Sequence, residues 1–178
     1  MVRFDQSTAR CRIFTYKEGL LSPFAHDLLI DVGSFAIELA GESMINARFD
    51  TGSLRVCCAI VGGQERSDLL SDSDRKDIEK TIREGVLQTG TYREIAFRSR
   101  SVAKEDSTYL VRGDLSLHGA EKEITFSVRL EGSDRVAEAR LHLPDYGIKP
   151  FSALFGAVRI KPDILIRVTL PGERGPAG

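Results

Sequence analysis

The stretch Val158-Arg159-Ile160-Lys161-Pro162-Asp163-Ile164-Leu165-Ile166-Arg167-Val168-Thr169-Leu170 decides the fold. Val158, Ile160, Pro162, Ile164, Ile166, Val168 and Leu170 take alternate positions, and Arg159, Lys161, Asp163 and Arg167 fall between them. A period of two puts one face of a strand on an apolar interior and the other in water. Upstream, Ile124, Phe126, Val128 and Leu130 alternate in the same way with Thr125, Ser127 and Arg129. Long antiparallel strands joined by short polar turns predict an all-β fold, a closed antiparallel barrel. The inside of a small barrel either packs solid or holds an apolar guest.

Working outward, strands are expected near residues 8–17, 27–40, 43–50, 53–60, 92–103, 107–118, 121–131, 134–143 and 156–170. In the 27–40 strand the apolar set changes parity at Gly33, with Leu28, Ile30 and Val32 before it and Phe35, Ile37 and Leu39 after. A glycine at a parity change predicts a bulge or a barrel corner. Asp72-Ser73-Asp74 opens one helix, with Ser71 or Ser73 as its cap, Ile78, Ile82 and Val86 on one stripe and Gly85 as its stop. Gly113, Ala137 and Ala139 sit on inward faces where larger side chains could have filled the interior, a pattern that fits a hollow and also a tapered solid core of mixed sizes.

Composition bounds the function. The chain has 178 residues, 42% hydrophobic and 29% charged, enough for one domain with a core. A net charge of −1 gives no basic field for nucleic acid or an anionic membrane. Of three cysteines, Cys57 and Cys58 are adjacent and there is no CxxC, so buried free thiols are expected. The N-terminal stretch has no apolar core of signal-peptide length, and no segment is long and apolar enough to span a bilayer, which together predict a cytoplasmic protein. Residues 171–178, rich in Gly and Pro, are expected to be a disordered tail on the single domain.

Few residues promise chemistry. His26 beside Asp27 offers a base, a ligand or a polar anchor, but neighbours on a strand point apart, which favours a structural role at the loop-to-strand junction. His118 precedes Gly119 in a turn, and His142 shares a polar face with Glu138 and Arg140. The histidines form no zinc motif, and Asp72, Asp74 and Asp77 lack the glycine and terminal glutamate of a calcium loop. No nucleophile elbow, phosphate loop or dinucleotide fingerprint occurs, so no catalytic residue and no cofactor requirement are expected. The 146–156 segment carries Phe151, Leu154 and Phe155; it reads either as a plug or as a lid, acting with the Leu20–Phe24 loop. As part of a lid it would leave Lys149 and His26 to grip a polar head.

Several stretches then resemble one family in order along the chain. They are His26-Asp27-Leu28, Phe49-Asp50 leading to Ser53-Leu54-Arg55-Val56, the Asp68 to Leu87 segment, Tyr92-Arg93-Glu94-Ile95-Ala96-Phe97-Arg98-Ser99, Gly113-Asp114-Leu115-Ser116-Leu117-His118-Gly119, and Asp145-Tyr146-Gly147-Ile148. The chain resembles the YceI-like family from about residue 10 to 170, with Arg93 where the family usually has proline. The resemblance implies a lipocalin-like barrel of about eight strands around a long lipid, a polyisoprenoid, quinone-type or fatty acyl chain. Phe24, His26, Phe35, Phe97, Val111, Phe126, Val128, Leu141, Phe151, Phe155 and Ile166 are the expected ligand-binding residues. The function expected is non-enzymatic binding, storage or transport of that hydrophobic guest. The alternative is a filled barrel that docks a protein partner or a second copy of itself.

Overall fold

A computed structural model describes residues 1–18, 26–41, 43–153 and 158–172. Phe24 and Phe155, the rest of the Leu20–Phe24 loop and nearly all of the expected tail lie outside these residues. The strands are β1 (Val2–Asp5), β2 (Arg10–Thr15), β3 (Lys17–Glu18), β4 (Asp27–Val32), β5 (Phe35–Ala40), β6 (Met44–Asp50), β7 (Leu54–Val61) and β8 (Gln64–Arg66). After the helix α1 (Asp72–Thr81) come β9 (Glu94–Glu105), β10 (Thr108–Leu117), β11 (Ala120–Glu131), β12 (Asp134–His142), β13 (Ser152–Ala153), β14 (Val158–Ile160) and β15 (Asp163–Leu170).

Twelve strands form one curled antiparallel sheet in the order β1-β5-β6-β9-β10-β11-β12-β15-β2-β4-β7-β8, and β13-β14-β3 form a small second one. The count exceeds the expected eight for a local reason. One long hairpin, residues 27–61, bends at a corner, so each arm counts as two strands, β4 with β5 and β6 with β7. The short strands β1 and β8 then add to the two ends of the order. At the corner Gly33 N donates to Ser53 O and Asp50 N to Ser34 O, both at 3.0 Å. A Cβ on Gly33 would lie 2.8 Å from Ser53 O, so only glycine lets the arms approach this closely. The parity change is therefore this corner, while the bulge of the hairpin lies beside it, between Leu29 and Ile30.

Two further expectations shift. The 156–170 run is not one strand: β14 joins the small sheet and β15 the large one. Pro162, with no N–H to give a ladder, stands between them. Ser71 caps α1 in a reciprocal pair, its Oγ accepting from Asp74 N at 3.1 Å while its own N–H donates to Asp74 Oδ2 at 2.9 Å. Gly85 does not stop the helix, because α1 runs on into a π-helical turn over Ile82–Val86 that contains it. The His118-Gly119 turn has positive φ at both residues, +52° and +78°. That is the geometry a two-residue hairpin needs to match strand twist.

Inward side chains from the curled sheet form one apolar cluster that includes Ile30, Ile37, Val111, Leu115 and Leu141. Burying side chains of this size stabilises by about 1.5–3 kcal/mol each. Tyr146 and Ile148, in and just after a 3-10 turn, are also buried in it.

Candidate functional site: an apolar cavity inside the sheet

The register stacks apolar residues at matching levels around the inner face. Ile30, Ile13, Ile166 and Ala139 are successive cross-strand partners on β4, β2, β15 and β12. Val102, Val111 and Phe126 form a similar row on β9, β10 and β11. All seven line a cavity of about 1050 Å³. That exceeds the roughly 300–1,000 Å³ usual for small-molecule sites.

Part of the cavity wall is helical. At the corner β6 turns toward β9 and β7 turns toward β4, and Ile78, Ile82 and Val86 of the helical segment face the cavity there. The edge of β7 left by this divergence is covered by α1. Glu79 Oε1 accepts the Val56 N–H at 2.9 Å, satisfying a donor that a sheet edge would expose.

The polar atoms of the wall are few. Thr51 Oγ1 donates to Tyr92 O at 2.7 Å and Thr81 Oγ1 to Asp77 O at 2.9 Å, so both are spent on the protein. Thr15 Oγ1 is buried with no partner among the described residues. Burial pushes the thiol of Cys11, another lining residue, up to about 12, with the Asp31 carboxylate adding to the shift. Among the described residues the charged lining ones are Lys104 and Arg135 at one end, Lys161 at the other, and Asp50.

The residues singled out in the sequence divide cleanly. Phe97, Val111, Phe126, Val128, Leu141, Phe151 and Ile166 line the cavity, and the rings of Phe97 and Phe126 lie 5.3 Å apart. Phe35 is buried in the same core cluster but is not among the residues lining the cavity; its ring lies 6.0 Å from that of Phe49, which does line it. His26 is half-buried at the start of β4, outside the lining, and Lys149 is exposed and likewise outside it. Lys104, Arg135 and Lys161 hold the inward positions for cations. Gly113 is not a source of hollow either, since the Phe97 ring occupies the space its side chain would take. Ala137 and Ala139 do border the open volume.

No chemistry-bearing cluster among the described residues competes with the cavity. Among the described residues no group of three or more His, Cys, Asp or Glu is placed to hold a metal ion. His118 stacks on Tyr92 with ring centroids 4.1 Å apart, and His142 Nδ1 lies 2.9 Å from Asp163 Oδ1 at the surface. Cys57 Sγ donates to Asp31 Oδ2 at 2.9 Å, and burial with that bond pushes its thiol up to about 12.

A curled antiparallel sheet around an apolar compartment defines an all-β protein built to enclose space. The YceI-like domain model matches residues 18–171, and the chain belongs to that family. UPF0312 proteins of Vibrio parahaemolyticus and Vibrio campbellii are 28% and 27% identical over 147 residues, 76% of this chain. The match covers 66% of the length of each of these relatives. Among solved structures, BcnA of Burkholderia cenocepacia superposes with a TM-score of 0.63 at 12% identity, over 91% of this chain and 94% of its own. A polyisoprenoid binding domain from Saccharophagus degradans, implicated in plant cell wall breakdown, gives 0.58 at 11% identity over 94% of each chain. At these identities the solved structures share the fold.

Proposed function

We propose that this protein binds a long apolar lipid inside the curled sheet, a polyisoprenoid, quinone-type or fatty acyl chain, and stores or carries it without chemical change. The observation that carries this reading is the cavity of about 1050 Å³, lined by apolar side chains where a small barrel would otherwise pack its core. The polyisoprenoid-binding description of the Saccharophagus neighbour and membership of the YceI-like family support it.

In this reading the curled sheet acts as a closed container. The bent arms β4–β5 and β6–β7 carry the wall around from β2 to β9, and α1 fills the gap that the bend opens. Affinity comes from removing chain surface from water, about 25 cal/mol per Å² before the cost of ordering the chain. The second reading, a filled module that docks a partner, has the open cavity against it.

Placing a charge on the wall tests the interior site. Val128→Arg and Leu141→Arg are each expected to abolish retention of co-purifying lipid and binding of a fluorescent acyl probe, while the far-ultraviolet dichroism of a β protein persists. A folded variant that still retained its lipid would overturn the interior assignment.

A further inference from the structure

Two cations face the cavity at the same end. Lys104 lies at the far end of β9 and Arg135 at the near end of β12, next to the 106–107 and 132–133 turns. The strands are separated by β10 and β11 and Lys104 stands level with Ala137, two residues from Arg135, so three steps of about 4.8 Å and that offset put the two backbones about 16 Å apart along the wall. Among the described residues neither side chain has a carboxylate within 4.0 Å. The outward arginines nearby differ: Arg129 binds Glu131 at 2.7 Å and Glu138 at 2.9 Å, and Arg167 also pairs with both.

Glu131 and Glu138 are thus engaged on the outer face, and neither offsets Lys104 or Arg135 on the inner rim. Asp50, the carboxylate among the described lining residues, lies toward the opposite end, opposite Glu94 at the start of β9. Its Oδ1 accepts the Gly52 N–H at 2.8 Å. Apolar walls behind an unpaired cationic rim make an amphiphilic site, because a nearby low-dielectric surface strengthens the attraction for an anion.

We infer that the guest is an amphiphile with an anionic head, a carboxylate or a phosphate ester, seated between Lys104 and Arg135 with its chain running inward past Val128 toward Phe97 and Phe126. This rests on the lipid-binding reading above. It makes Lys104 and Arg135 selective for the head and leaves the apolar wall to hold the chain.

The test compares chains that differ only at the head. cis-Parinaric acid and its methyl ester are titrated by fluorescence, and geranylgeranyl phosphate and geranylgeraniol are used as competitors, each at low and high salt. Wild-type protein should bind at least one of the anions about tenfold more tightly than its neutral counterpart, a margin that shrinks with salt. Preference for the acid alone names a carboxylate, and preference for the phosphate alone names a phosphate ester. The Lys104→Met/Arg135→Met variant should lose the preference while binding the neutral chains as before, and Lys104→Arg should keep it. Equal binding of charged and neutral heads by the wild type, or a preference that survives the double variant, overturns the head assignment alone. Failure of all four chains to bind overturns the lipid reading itself and the head assignment with it.

Discussion

Glu79 and Val56 join the helix to the sheet: the Glu79 carboxylate accepts the Val56 backbone N–H at 2.9 Å, at the place where β7 has lost its neighbour on that side. The Glu79 side chain is only 13% exposed, and Arg83 lies 3.8 Å away, one turn further along. A charged acceptor here satisfies the edge donor and fixes α1 as a piece of cavity wall.

Glu79→Ala leaves the Val56 N–H without its partner. The expected loss is about 1–3 kcal/mol of stability. Glu79→Gln, which keeps an acceptor oxygen, should lose less. Urea unfolding of the three proteins checks both, and an alanine variant as stable as wild type would show the bond to be dispensable.

Gly113 yields its side-chain space to Phe97. A Cβ there would sit 2.6 Å from Phe97 Cζ and would also meet the backbone oxygen of Arg98. Gly113→Ala should therefore destabilise by about 1–3 kcal/mol, the range for overpacking a dense region. Pairing it with Phe97→Leu should recover part of that loss in a double-mutant cycle, since the smaller side chain makes room. No recovery would place the strain on the Arg98 backbone instead.

The cysteines tie stability to alkaline pH. Burial raises the Cys11 and Cys57 thiols to about 12 from the ordinary 9.0. In the unfolded chain they ionise near 9 while the folded protein keeps them protonated. The unfolded state then binds fewer protons, so stability present below pH 9 is lost as pH rises toward 12. Thermal unfolding between pH 8 and 11 should show this fall, and Cys11→Val should make it shallower. A fall of unchanged slope in that variant would assign the effect to other groups.

The strands were legible because alternation survives wherever one face is dry. A pair that sets the cavity, Ile166 with Ala139, lies on faces read directly from period two. Lys104 was hidden by a physical cause. A register shift beside Arg112 and Gly113 changes the parity of β9, so Ile95 and Phe97 face in before it and Val102 and Lys104 after it. Arg135 shares the parity of Ala137, Ala139 and Leu141, and extending that row by one step would have found it. β1 escaped notice because four residues, Val2–Asp5, are too few to show a period. Its place is set by pairing with β5 far along the chain.

Native mass spectrometry of gently purified protein, followed by solvent extraction and lipid analysis, distinguishes a lipid-filled cavity from an empty one. The lipid-filled cavity is expected to give a folded species carrying one long-chain lipid, released when the solution is made denaturing. A bare mass that stays bare after quinones, polyprenols and fatty acids are offered would contradict it.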